Sequence, residues 1–320
     1  MGKWRRGLHL IGYILRRLIQ MVPALIGITL VAFLFIKLLP GDPTLIMLGG
    51  KATPEAIAAV HQKFGLDKPL PLQYLIFIKN ALSGDLGTSI VQRAPVTQMI
   101  GERMGPSLFL LGYGTVIAVL LTLVLSMVSA QFANRPVDHL IRITGMVGFA
   151  MPAFWLGLLF ILFFGLKLGW FPISGWGSGF AGHLHSLFLP SLAIGIALAP
   201  ILIQSLRASM LDVMQADYVE AAHAKGLSPA RVLAKHVLRN ALIPTVTILA
   251  VNIGWLIGGA VTIETVFSIP GIGLLLVRSI LYRDYPMIQG LTLVFGVMVM
   301  AINLMADLSY AIIDPRVEYR

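Results

Sequence analysis

Six stretches of the chain run without a charged residue: 18–36, 106–131, 143–166, 186–206, 240–263 and 285–306. Each is about 19 to 26 residues long, enough for a helix at 1.5 Å per residue to cross a hydrocarbon core of roughly 30 Å. None alternates apolar and polar positions as a barrel strand does, and lipid cannot satisfy an open sheet edge. The pattern predicts an all-α membrane protein with six transmembrane helices. The first stretch is longer than a signal-peptide core and runs into Pro40-Gly41-Asp42-Pro43 without a small-x-small site, so it is expected to stay as a helix. Met151-Pro152 is expected to kink the third helix, because proline removes a backbone donor and crowds the preceding turn.

The polar connections supply direction. Lys3, Arg5, Arg6, Arg16, Arg17, Arg135, Arg142, Arg207, Lys225, Arg231, Lys235, Arg239, Arg316 and Arg320 fall on one side, while the short loops opposite hold only Lys167, Arg278 and Arg283. The basic side is expected to be cytoplasmic, with both termini there. Residues 40–105 form a large loop on the external, periplasmic side. In it Thr53-Pro54-Glu55 reads as the start of a helix over 54–64 that Gly65 ends, and 72–82 reads as an amphipathic helix on the membrane surface with Tyr74 and Phe77 at the interface. The loop reads either as a docking surface for an external partner or as a lid that covers the helix ends.

Composition narrows the function classes. The chain is 57% hydrophobic and 12% charged, against about 25% charged for soluble domains. Its net charge of +10 sits mostly beside apolar segments, as topology signals do, so no nucleic acid is expected. There is no cysteine, hence no thiolate ligand or thiol nucleophile. His183-Leu184-His185 offers two ligands at most where a structural metal site wants about four, so no metal and no cofactor is expected. No hydrolase elbow, zinc-protease pattern or phosphate-cradling glycine loop occurs, which leaves no catalytic residue and hands any nucleotide to another subunit. An intramembrane enzyme is the alternative class. Asp307, seven residues before Asp314, stands roughly 10 Å from the end of the last helix and reads as locally paired.

The connection 207–239 is the most informative. Leu211, Met214, Tyr218 and Ala221/Ala222 recur at helical spacing, Gly226 can close that helix in a left-handed conformation, and Ser228-Pro229 starts another that carries Val232, Leu233, His236 and Val237. Two helices about a glycine bend, outside the membrane and partly apolar, suit a protein partner or packing on the chain's own helix ends. Within the spans, Gly254 and Gly258 form a small-residue step, and Asn252 is an amide facing either a pathway or a neighbouring helix.

Glu220-Ala221-Ala222 followed by Gly226 resembles the EAA loop of ABC importer permeases. The surrounding Asp217-Tyr218-Val219, Ala224-Lys225-Gly226-Leu227 and Lys235-His236 through Pro244 resemble the dipeptide/oligopeptide/nickel branch, which includes glutathione importers. Leu39-Pro40-Gly41-Asp42-Pro43, Glu264 through Gly273, Arg283-Asp284-Tyr285-Pro286 and Asp307 through Arg316 are similar to it too. The broad importer pattern ends Ile-x-Leu-Pro, where this chain has His236, Val237, Leu238 and Arg239. The resemblance implies a type I permease fold in a single domain over 1–320, in the bacterial inner membrane. It implies a pathway half for short peptides working by alternating access, with nickel as the alternative cargo. The implied partners are a second related permease, two ATPases and an external solute-binding protein. Asp217, Tyr218, Glu220, Ala221, Ala222, Lys225 and Gly226 would couple to the ATPase. Met151, Asn252, Gly254 and Gly258 are the candidates for pathway or gate.

Overall fold

A computed structural model describes residues 16, 19–34, 53–55, 57 and 67–313; side chains are described to residue 305, except at 223 and 229. The described residues are helical, joined by turns and a single antiparallel bridge between Thr88 and Pro95. In order the helices are α1 (Ile19–Leu34), α2 (Leu70–Leu82), α3 (Val96–Gln131), α4 (Pro136–Ala150), α5 (Ala153–Phe160), α6 (Gly179–Met214), α7 (Asp217–Ala224), α8 (Pro229–Val232), α9 (Leu238–Val266), α10 (Ile272–Leu281) and α11 (Tyr285–Ile313). Helix α5 continues as a π-helical turn over Ile161–Lys167, and α8 runs into α9 through another over Leu233–Val237. The chain divides into two compact units, residues 1–105 with 271–301 and residues 106–270 with 302–320.

Among the described residues, Val96–Gln131, Gly179–Met214, Ala230–Val266 and Tyr285–Met305 are long and apolar enough to cross a bilayer, and α4 with α5 makes a fifth if the bent pair is one span. Helix α1 is apolar but shorter, and the ends of the predicted 18–36 segment lie outside the described residues. The third predicted span departs most from expectation. It is no single kinked rod: α4 and α5 meet at 100°. Met151 is extended at ψ 127°, because Pro152 disfavours the α-region for the residue before it and brings no N–H to continue the ladder.

In the first unit, Val96, Met99, Ile100, Ile272, Leu275, Met287 and Leu291 form the buried core. Helix α2 packs on α1. The Tyr74 hydroxyl is 2.7 Å from Thr29 Oγ1, and Phe33 meets the Tyr74 and Phe77 rings at 5.5 and 6.2 Å. The two aromatics expected at a membrane interface therefore face α1, and the exposed large apolar residues of α2 are Leu70, Leu72, Leu75 and Leu82. Thr53 accepts from Ile57 N at 2.9 Å, the first bond of the expected 54–64 helix, whose later residues lie outside those described.

One carboxylate fastens a loop in this unit. Asp284, 3% exposed, accepts from the Ser89 hydroxyl and from Ile90 N at 3.1 Å. Ser89 Oγ in turn accepts from Gln92 N at 2.9 Å, and Arg93 closes the turn at φ 54°. Asp284→Ala leaves the buried Ser89 hydroxyl and the half-buried Ile90 N without their acceptor, a loss of about 1–3 kcal/mol for a buried group. The expected outcome is an opened 88–95 turn and at least a severalfold faster tryptic cut after Arg93, read by peptide mapping. An unchanged cleavage rate would show that Asp284 does not hold the turn.

In the second unit, α6 is the most deeply buried helix and packs most extensively on α9 and α4. It crosses α3 closely. A Cβ added to Gly114 would lie 2.8 Å from the Ile194 side chain, and one on Gly195 would lie 2.7 Å from that of Ile117. Each glycine thus receives the isoleucine that neighbours the other, the close approach small residues permit between apolar helices. At the far end of α9, buried Glu264 accepts from Ser107 Oγ at 2.5 Å and Phe267 is 1% exposed.

Candidate functional site: the α7–α8 loop

Helix α6 ends at Met214 and α7 begins at Asp217, so Gln215 and Ala216 interrupt the helical phase. This overturns the continuous stripe expected through Leu211, Met214, Tyr218 and Ala221/Ala222. Met214 and Tyr218 are 41% and 45% exposed, and Ala221 is exposed. The residues α7 buries are Val219 and Ala222, one turn apart. They join Ala130, Leu206, Met210, Val232, Val237 and Ala241 in an apolar cluster. The second expected stripe holds for Val232 and Val237, with Leu233 packed against the same cluster.

The bend is formed as its sequence predicts. Gly226 has φ +75°, and Leu227 N donates back to Ala222 O at 3.4 Å. That six-to-one bond across a left-handed glycine, with Leu227 and Ala222 in one apolar cluster, is a Schellman helix stop. Val232 N then donates to Ser228 O at 3.0 Å, and Pro229 opens α8. Asp217 and Glu220 lie in the first turn of α7, where their charge suits the helix dipole.

The loop is therefore two-faced. Ala222 is buried against the chain's own helices, while Asp217, Tyr218, Glu220, Ala221, Lys225 and Gly226 are exposed. Tyr218 is held from behind, its hydroxyl accepting from Asn240 Nδ2 at 3.0 Å. Beneath the loop sits a polar anchor absent from the sequence reading. Asp138, 0% exposed, receives Arg207 Nε and Nη2 at 2.7 and 2.5 Å, the Ser129 hydroxyl, and Asn134 N at 2.9 Å. It ties the α3–α4 turn to α6, two turns before α6 ends.

Of the pathway candidates, Asn252, Gly254 and Gly258 lie on α9 and Met151 is the bend residue between α4 and α5. The Asn252 amide donates to Ile248 O of its own helix at 2.8 Å. A Cβ on Gly254 would stand 3.7 Å from Asn303 Oδ1 on α11, whereas one on Gly258 would meet nothing within 4 Å. His183 Nδ1 donates to Trp176 O at 2.8 Å and His185 Nε2 to Trp170 O at 3.0 Å, so both rings staple the preceding loop to α6. Among the described residues no group of His, Cys, Asp and Glu could hold a metal. The Asp307 side chain and Asp314 lie outside the described residues.

Comparison with known proteins agrees over nearly the whole length. Residues 122–319 match the binding-protein-dependent transport system inner membrane component, and residues 10–111 match the N-terminal family of such membrane components. The glutathione transport system permease protein GsiC of Pectobacterium atrosepticum is 42% identical over 311 residues, 97% of this chain and all of that one. Its counterpart in Escherichia coli K12 is 40% identical over the same shares. A solved inward-facing MetNI methionine ABC transporter superposes with a TM-score of 0.55 at 16% identity, covering 68% of this chain and 97% of that chain. These matches, with the multi-pass helical fold, show that the chain belongs to the binding-protein-dependent transport system inner membrane components, the inner-membrane permease subunits of ABC importers.

Proposed function

We propose that this permease forms half of the pathway of an ATP-driven importer of short peptides, glutathione-like in class, working by alternating access. The cargo rests on the near-full-length similarity to permeases named for glutathione transport. The mechanism rests on one observation: α7 anchors one face in the chain's own core and leaves Asp217, Tyr218, Glu220, Ala221 and Lys225 open. A helix so held passes a push on its open face to the spans behind it. Ala222 and Gly226 shape the connection, and the open residues meet an ATPase. Differential binding to two states of the bundle is what shifts their balance. In this reading the subunit is one permease domain with six spans and both ends in the cytoplasm, α4 and α5 together counting as the third. It pairs with a second permease, two ATPases and an external binding protein.

The cargo is tested in proteoliposomes holding the chain with its partner subunits. ATP-dependent glutathione uptake that requires the binding protein is expected, and saturable nickel uptake with no peptide uptake would sink the assignment. Topology is tested with single cysteines, since the chain has none. Labels at Val60 and Phe180 should react from outside intact cells. Labels at Arg135 and Lys225 should react only after permeabilisation, and the reverse pattern would overturn the orientation.

A further inference from the structure

We propose that two tethered turns, over 89–93 and 280–284, form a surface on which the external binding protein docks, its carboxylates meeting Arg93, Arg278 and Arg283 around an apolar centre of Val91, Leu281 and Tyr282. The proposal rests on the topology proposed above, which puts both turns on the external side. It is independent of cargo.

Hydrogen bonds bring the two turns together. Asp284 N donates to Ser279 O at 2.8 Å, which closes the end of α10 across Arg283. The Asp284 carboxylate then accepts from the Ser89 hydroxyl and Ile90 N of the other turn. Arg93 N donates to Ser89 O at 3.0 Å, so the turn that Asp284 fastens carries Arg93 with it. On the flank, a Cβ built on Gly87 would stand 3.8 Å from Pro286 Cβ. Arg278 lies one helical turn before Tyr282, whose N donates to the Arg278 carbonyl at 2.9 Å.

Backbone conformation singles out two of the arginines. Arg93 and Arg283 both have φ 54°, the left-handed region that a Cβ disfavours and glycine occupies freely. Nothing within the chain offsets that strain through charge: all three arginines are exposed, and among the described residues none of them is in an ion pair. Strained side chains held by well-packed surroundings gather at binding surfaces. Here the surroundings are the buried Asp284 and its donors.

The neighbours identify the occupant. Leu281 and Tyr282 are 74% and 66% exposed and Val91 is 49% exposed. Large apolar groups beside arginine and tyrosine match a protein interface, whereas a small anion would leave them in water. The charge is one-sided. Residues 86–101 and 265–283 contain no acidic residue. Of the carboxylates that bound these stretches, Glu264 and Asp284 are buried, Asp85 accepts from Gly87 N at 2.8 Å, and Glu102 accepts from Gln98 Nε2 at 2.9 Å on α3. The complement is an acidic protein surface with an apolar patch. The family depends on a binding protein, and in the proposed assembly that protein is the water-soluble partner on this side.

The test uses the full transporter in phosphatidylcholine proteoliposomes, with the binding protein of the uptake assay as the probe. The binding-protein concentration that gives half-maximal uptake is measured. Replacing any one arginine by Gln is expected to raise it about two- to fivefold, the scale of one exposed ion pair, and the triple variant about tenfold or more. Arg93→Gly and Arg283→Gly separate binding from folding. Each relieves the strained φ, so the thermal midpoint should hold or rise while the half-maximal concentration still climbs. Added salt should weaken the wild type and hardly affect the triple variant. Lys68→Glu with Lys79→Glu, two exposed cations in or beside α2, should change nothing. Normal values in the glycine and triple variants, with the wild type still dependent on the binding protein, would overturn the docking surface and leave the importer reading standing. An equal loss from the lysine pair would also overturn it, since the attraction would then be general. So would a loss seen only when phosphatidylglycerol is added to the vesicles, which would assign the arginines to lipid headgroups. Wild-type uptake that needs no binding protein would overturn both the surface and the reading on which it rests.

Discussion

Arg207→Met is expected to destabilise the folded chain by about 3–5 kcal/mol, the cost of leaving a buried charge without its partner. The geometry places this pair well above an exposed ion pair, which contributes roughly 0–1 kcal/mol. Asp138 is 0% exposed and the Arg207 side chain 15%. The guanidinium approaches with two nitrogens, the arrangement that best matches a carboxylate. After the substitution the carboxylate keeps only the Ser129 hydroxyl and Asn134 N. Two neutral donors do not replace a cation in a poorly solvated site. The double variant Asp138→Leu with Arg207→Met removes the stranded charge and should recover most of the loss, because replacing both members of a buried pair is often close to neutral. Thermal unfolding in detergent, run as a double-mutant cycle, separates the cases. If both variants lower the midpoint equally, the single variant's loss belongs to packing and the charge argument fails.

That anchor was invisible in the sequence for a definite reason. Arg207 and Asp138 are 69 residues apart, and each charge taken alone looks like part of a basic, water-facing connection. The apolar cores of the spans were legible because a charge inside hydrocarbon is costly, so its absence marks the membrane. The helix ends were not. Helix α6 continues eight residues past its charge-free stretch to Met214, since helical hydrogen bonding does not stop where lipid does. The break at Met151-Pro152 was readable from proline chemistry. Its angle was not, because proline excludes one conformation and the surrounding helices select among the rest.

The glycines show the same limit. Gly226 was readable because a helix stop needs a left-handed residue with no Cβ, which is a local requirement. Gly114 and Gly195 are as tightly placed, yet their partners Ile194 and Ile117 come from the opposite helix and no spacing announces them. The phase slip at Gln215 and Ala216 had no glycine or proline to signal it, so periodicity carried the stripe onto Met214 and Tyr218 and missed Val219. The correction sharpens the candidate site, because it sorts the EAA-type residues into one that packs, Ala222, and those that remain available.

That sorting makes the coupling prediction specific. Gly226 has φ +75° with nothing within 4 Å of a built Cβ, so Gly226→Val meets no neighbour and costs only backbone strain, about 1–2 kcal/mol. The strain bears on the joint between α7 and α8 and should redirect one against the other. Glu220 is exposed, so Glu220→Lys disturbs no packing within this chain. If α7 seats in an ATPase, the reversed charge is desolvated there without a partner, a cost of about 2–5 kcal/mol that exceeds a tenfold loss of binding. Both variants should insert at near-normal abundance, while uptake per assembled complex falls at least about tenfold and ATP hydrolysis proceeds without transport or with fewer bound ATPases. Ala222→Asp supplies the contrast. It buries a carboxylate in the apolar cluster, so abundance itself should collapse. A loop that only packs against helix ends would give the reverse ranking, with reduced abundance and normal specific uptake for Glu220→Lys and Gly226→Val. Uptake normalised to inserted complex decides between them, and normal specific uptake in both variants would remove the coupling role from α7.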